Sequence, residues 1–414
     1  MAALTNWAGN IVFSAAELAR PRAVADLQRL VADSDQVRVL GTGHSFNRVA
    51  DTSGTLVSVR DLPRVLELDR EAATVRVGAG IRYGELTAFL EDNSFALANL
   101  GSLPHISVAG ACATGTHGSG NTNQVLAGAV RAQQLVNAEG ELIEITASDE
   151  GFSGSVIGLG ALGVVTELTL ALVPSFEIRQ YAYDHLDFAD LTEHFDEITG
   201  SAYSFSVFSL WRGEKAGQIW LKTKDIRDNG PFFSARPADG PRHPLPDGDG
   251  SSSTEQGGVV GPWNQRLPHF RLEFTPSNGE EIQSEYFIDR SLARPAIEAI
   301  RSMGEQLAPV LMIGEIRTVA ADELWISPAY QRDRVAFHFT WTMDEAALAP
   351  VVRELEARLA EFDAVPHWGK YFVTSGDRLA ELHPRLHDFA DLVRQHDPNG
   401  KFANEYLNAN VLRN

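Results

Sequence analysis

Val37-Arg38-Val39-Leu40-Gly41-Thr42-Gly43-His44-Ser45-Phe46-Asn47 is an apolar run that stops at two glycines, with a histidine and a serine directly behind them. A strand that ends in Gly-x-Gly does so because a ligand must lie against bare backbone. His44 adds a nucleophilic imidazole at the point of closest approach. These residues predict a phosphate-bearing cofactor held by main-chain N–H groups, with a histidine free to react with it.

Two further segments are built for backbone contact. Gly101-Ser102-Leu103-Pro104-His105-Ile106-Ser107-Val108-Ala109-Gly110-Ala111-Cys112-Ala113-Thr114-Gly115-Thr116-His117-Gly118-Ser119-Gly120 is filled almost end to end with small residues. Such a chain lies flat on a planar ligand and donates N–H groups to its phosphates. His105 and His117 lack a third ligand at metal-binding spacing, so no metal site is expected. Cys112 reads as a small packed residue. Gly158-Leu159-Gly160-Ala161-Leu162-Gly163 matches the dinucleotide fingerprint G-x-G-x-x-G in form. The match fails on context, because the β-branched, alternating run Val164 to Leu170 follows where a helix is required.

Periodicity supplies the rest. Helices are expected over 21–33, 83–93, 293–307 and 346–362. Strands are expected over 10–13, 37–40, 55–59, 65–68, 73–77, 133–137, 142–146, 164–174 and 366–374. The pattern is α+β and strand-rich, without the even alternation of a doubly wound sheet. Residues 226–262 are rich in Pro, Gly, Asp and Ser and read as a large surface loop or mobile lid.

The composition excludes several classes. Lys and Arg number 35 against 55 Asp and Glu, a formal net charge of −20 over 414 residues. Such a surface repels nucleic acid and anionic membranes. A lone cysteine forms no internal disulfide. No apolar run approaches the roughly 20 residues of a membrane span, and no signal peptide is evident. A cytoplasmic monomer acting on a small neutral or polar substrate is the expectation.

Strand periodicity also marks a polar face. Glu315 and Arg317 lie two apart, as do Gln283 and Glu285, and as do His338, Thr340 and Thr342. Residues so spaced share one side of a strand. Three such strands make a floor for a polyhydroxylated ligand; a solvated sheet face carries the same pattern.

The glycine elements together resemble the vanillyl-alcohol-oxidase (PCMH-type) FAD-linked oxidases, and within them the sugar-alcohol and aldonolactone oxidase group. The likeness covers nearly the whole chain. It includes Asn6 to Asn10, Gly43 to Asn47, Ser102 to Gly110, Thr114 to Gly118, His367-Trp368-Gly369-Lys370 and Gly400-Lys401-Phe402. It implies an FAD-binding domain of residues 1–175 completed by 366–414, and a substrate domain of 176–365 on a large antiparallel sheet. It implies FAD joined covalently to His44. Gly41, Thr42, Gly43, Ser45, Ser102, Ser107, Gly110, Thr114, Gly115, Thr116, His117 and Val164 would line the cofactor. Ser102, Gln283, Glu315, Arg317, Thr340 and Lys370 would hold the substrate. Arg317 and Lys370 would stabilise a developing alkoxide, with Glu315 orienting Arg317 and His338 behind them. Gly101 stands where some relatives carry alanine, which leaves more room for oxygen. The implied reaction is oxidation of a terminal alcohol of an alditol such as xylitol or sorbitol, with oxygen reduced to hydrogen peroxide. An aldonolactone oxidase or dehydrogenase, or a non-catalytic flavin protein, are the alternatives.

Overall fold

The computed structural model describes residues 4–228, 230–274 and 279–413, and within them the protein is α+β. Residue 229, inside the expected lid, lies outside that set. Thr55–Ser58 runs between Glu17–Ala19 and Val37–Leu40, parallel to both. The helix Val24–Asp33 carries the chain from Glu17–Ala19 over to the parallel strand Val37–Leu40, leaving the place between them for Thr55–Ser58. Its Leu27 and Val31 bury against Val37 and Val57. Asn10 to Phe13 is not a strand. Only Val12 pairs, in a single bridge to Thr5, while Ile11 and Phe13 anchor the segment by their side chains.

A second sheet runs Leu66–Asp69, Thr74–Gly78, Val164–Ala171, Val130–Val136, Leu142–Thr146, with every neighbouring pair antiparallel. Between the two sheets lies a cleft, walled by Val39, Val59 and Ala79 on one side and Gln133, Leu135 and Val165 on the other. Arg38 ties the walls together. Its buried guanidinium donates to the carbonyls of Leu159 at 2.6 Å, Phe402 at 2.8 Å and Gly160 at 2.9 Å, and also to Val49. Burial lowers its pKa to about 10, so it remains cationic at neutral pH.

The third large layer is a nine-stranded sheet whose centre is ordered Ser204–Ser209, Leu311–Val319, Arg334–Trp341, Ile282–Asp289. One face is apolar. Ile316, Phe337, Phe339 and Tyr286 bury there against the helices Ala293–Arg301 and Glu345–Leu359. The other face is polar and looks toward the cleft.

Three further expectations change. The small-residue segment is not extended throughout: Val108–Ala113 is a helix, with Ser107 extended at its N-cap. Residues 226–262 are a folded strap. Arg236–Pro237 and Gly261–Pro262 pair with the strand Glu177–Asp187, Arg242 grips Asp184, and His243, Thr254 and Gln256 are buried. Of 366–374 only Pro366, in Val365–Pro366, joins the sheet, because the chain turns at Gly369, whose carbonyl accepts from Phe46 N–H. Among the described residues no helix is long and apolar enough to cross a membrane.

Candidate active site

The polar face follows from register. Glu285 pairs with His338, and His338 with Glu315 on its other side. One row along, Gln283 pairs with Thr340. Residues directly opposite in a sheet project from the same face, so the three patterned strands bring these groups together in one cavity. Arg317 lies one step further and reaches back. It donates to Glu285, its Nη1 is 3.5 Å from Ser102 Oγ, and its Nε is 3.6 Å from Glu315 Oε1. Lys370, from the turn after the short strand Val365–Pro366, donates to Gln283 Oε1.

The electrostatics are those of paired charges in a dry site. Burial opposes the charge of Glu315, yet Arg317 and His269 beside it hold its pKa well below the carboxylate range. Burial likewise opposes Glu285, and Arg317 and His117 overcome it. Burial opposes Arg317 as well, and Glu315 and Glu285 raise it. Burial pushes Lys370 down to about 8, against the pull of Glu285. Both carboxylates are therefore ionised and Arg317 is cationic near neutral pH. The Arg317 Nε is buried without a hydrogen-bond partner, a donor available to a bound hydroxyl or alkoxide.

The cofactor loop turns tightly under this sheet. Gly43 has φ +73°, a conformation that favours glycine, and a Cβ at Gly41 or Gly110 would meet Ser107 Oγ at 2.7 Å. His44 Nδ1 is 3.0 Å from Thr42 Oγ1, and its ring stacks on Trp7 with centroids 5.0 Å apart. Burial, helped by Lys370, lowers its pKa to about 4, which leaves the imidazole neutral and nucleophilic. One cleft runs from Gly158, Gly160 and Gln133 past Gly41–Ser45 and Ser107–Gly110 to the polar sheet. The Gln133 side-chain N–H group in its wall is buried without a partner. Length, bare glycines and an orphaned donor suit an extended dinucleotide such as FAD. An alanine methyl at Gly101 would make only ordinary contacts, the nearest to His117 O at 3.6 Å, so the glycine leaves real space there.

The cleft is lined by Gly41, Thr42, Gly43, His44, Ser45, Ser102, Ser107, Gly110, Thr114, Thr116 and His117, and by all six expected substrate contacts. Two expected cofactor residues lie elsewhere. The Val164 side chain is buried in the core with Val136 and Phe402, because β-alternation turns Val165 to the cleft instead. Gly115 packs against Pro328 and Ile157 at a left-handed turn. His105 Nε2 is 2.9 Å from Leu272 O.

Three groups escaped the sequence reading. Glu285 was visible only as a neighbour of Gln283 on one face. His269 carries no periodic signal; its backbone N–H bonds Ser102 O and its Nε2 lies 2.8 Å from Glu315 Oε1. Lys222, also fully buried, lies 3.1 Å from His269 Nδ1 and donates to Leu267 O. Burial brings Lys222 to about 7 and His269 to about 4. A lysine N–H pointed at Nδ1 fixes the His269 proton on Nε2, toward Glu315.

Comparison with known proteins agrees with this geometry. The FAD binding domain family matches residues 15–146, and the D-arabinono-1,4-lactone oxidase family matches 276–410. An alditol oxidase of a Streptomyces species is 48% identical over 408 residues, 98% of each chain. An L-gulono-1,4-lactone dehydrogenase of Mycobacterium tuberculosis is 27% identical over 433 residues, 97% of each. In fold, the crystal structure of cholesterol oxidase from Brevibacterium sterolicum is similar with a TM-score of 0.81 at 15% identity, covering 99% of this chain and 96% of that one. The glycine-lined cleft, the polar sheet above it and a relative near half identity from end to end agree: the chain belongs to the alditol oxidases, FAD-dependent members of the aldonolactone oxidase group of PCMH-type oxidases.

Proposed function

We propose that the protein oxidises a terminal primary alcohol of an alditol, such as xylitol or sorbitol, to the aldose, with oxygen reduced to hydrogen peroxide. The observation that carries this is the ring of Ser102, Gln283, Glu315, Arg317, Thr340 and Lys370 at the sheet end of the cofactor cleft. Alternating donors and acceptors match a chain of hydroxyls and fix which carbon is presented. FAD, when bound, would supply the acceptor for a hydride (one proton and two electrons) from that carbon and the route for those two electrons to oxygen. Arg317 and Lys370 stabilise the alkoxide charge that develops as the hydroxyl loses its proton. Glu315 holds Arg317 and accepts from a substrate hydroxyl.

We further propose that FAD would be bonded covalently through its 8α-methyl carbon to His44, whose neutral ring has a free lone pair; the carbon would give up one C–H bond in exchange, its proton to solvent and its electron pair to oxygen through the flavin. The cofactor domain is then residues 1–175 with 366–414, and the substrate domain is 176–365. Support comes from the parallel and five-stranded sheets, which belong to the first part, and from the nine-stranded sheet, which draws mainly on the second.

Lactone oxidation is the competing reading, because the family model over 276–410 is that of a lactone oxidase. A peroxide assay with a panel of alditols and of sugar lactones separates them. Turnover with xylitol or sorbitol well above every lactone is expected; a lactone preferred over all alditols would replace the proposal. The Lys370 ammonium, with its pKa lowered to about 8, also sets a pH limit. A lysine below its pKa is charged, so the stabilising cation is present under pH 8 and lost above it. kcat/KM for xylitol should fall as pH rises through about 8, and Lys370→Met should remove that limb along with most of the rate.

A further inference from the structure

His117 ends the cofactor segment and sits under the sheet, edge-on to Phe287 with ring centroids 4.9 Å apart. It is 2% exposed, so bulk solvent does not reach its ring. Its Nδ1 lies 2.8 Å from the carbonyl oxygen of Gly118, and its Nε2 lies 3.0 Å from Glu285 Oε1. A carbonyl oxygen only accepts, and so does an ionised carboxylate. A neutral imidazole has a single N–H. It would leave one of these contacts as lone pair against lone pair in a buried site, where an unmet polar group costs most. The extra proton does not belong on Glu285, because the same Oε1 receives an N–H from Arg317.

We propose that His117 is held as an imidazolium by Glu285, and that this buried ion pair is a positioning device: it aims Arg317 at the substrate and places a fixed positive charge on the cofactor side of the cavity. The role in turnover rests on the alcohol oxidation proposed above; the protonation state does not.

The surroundings single out His117. The strand Leu311–Val319 contributes Arg317 and Glu315, and the strand Arg334–Trp341 contributes His338, whose Nδ1 is 3.6 Å from Glu285 Oε2. The segment after Val365–Pro366 contributes His367, 6.3 Å from His117 between ring centroids, and Lys370. His338 and His367 are both driven toward the neutral form by burial. Neither makes a pair of acceptor-only contacts. His367 Nδ1 accepts from Gly369 N–H, and His338 Nε2 meets the Thr340 hydroxyl at 3.2 Å, which can donate. Glu285 thus sits between two cations, Arg317 from the substrate floor and His117 from the cofactor loop. A flavin held by the cofactor loop would receive electrons near His117, where a positive charge would favour them.

The test is nitrogen NMR of the flavin-loaded protein labelled with 15N-histidine. One imidazole should show both ring nitrogens protonated in the folded protein, as its two acceptor-only contacts require. His117→Asn should erase that signal and no other. Glu285→Gln keeps the side chain's shape and removes its charge, so His117 should lose its second N–H and Arg317 its alignment, with kcat falling more than KM rises. A singly protonated His117 in the unaltered protein overturns the proposal, and so does an imidazolium that persists unchanged in Glu285→Gln. Because the NMR measurement needs no substrate, an imidazolium in a protein inert to alditols would sink the alditol reading alone.

Discussion

Arg317→Ala should lower kcat/KM for an alditol about 100- to 1,000-fold, the loss typical of a removed oxyanion-type donor, and leave the flavin spectrum in place. Its guanidinium touches Glu285, Glu315 and Ser102 in the cavity. Truncation removes the cation that meets the developing alkoxide. It also takes from Glu285 and Glu315 the guanidinium they share, leaving His117 and His269 as their remaining partners, and breaking a buried ion pair costs about 3–5 kcal/mol. A second outcome follows: the variant should melt earlier, because the cation that chiefly holds Glu285 and Glu315 ionised is gone. Arg317→Lys keeps the charge but not the fork that spans two partners, and should recover stability better than rate. Steady-state kinetics with a urea melt on each variant read both effects. Unchanged turnover in Arg317→Ala would remove this residue from the chemistry.

His44→Ala should abolish covalent attachment entirely. The half-buried ring, its pKa lowered to about 4, is neutral and has a lone pair to give. Acid precipitation of the unaltered protein should leave a yellow pellet; for the variant the colour should pass to the supernatant. FAD should still bind, because the glycine cradle and Ser107 are untouched, and turnover should persist at a reduced level. A variant that kept flavin in the pellet would move the linkage to another residue.

How far these features were legible depended on where the information lay. Val24, Leu27 and Val31 announce the helix Val24–Asp33 because one amphipathic face is enough to specify it. Glu17–Ala19 announces nothing, since a three-residue parallel strand is defined by its partner Thr55–Val57 and not by its own residues. Residues 226–262 looked unstructured because side-chain bonds hold them. The Gln180 amide on Thr254 O and Arg242 on Asp184 leave no period to read. The helix Val108–Ala113 hid in a run whose small residues suited a cradle equally well. At the site, Glu315, Arg317, Gln283, Thr340 and His338 were readable because a two-residue spacing fixes a face. Glu285 gains part of its weight from His117, and His269 from Lys222, contacts across 168 and 47 residues that no local pattern records.

The central claim is that a polyol bound under this sheet delivers its electrons to FAD in the adjoining cleft. Anaerobic addition of xylitol to the purified protein tests it in one cuvette. The account predicts that the oxidised flavin absorbance bleaches fully, and that readmitted air restores it with release of one hydrogen peroxide per flavin. A flavin that stays oxidised with every alditol offered would contradict it.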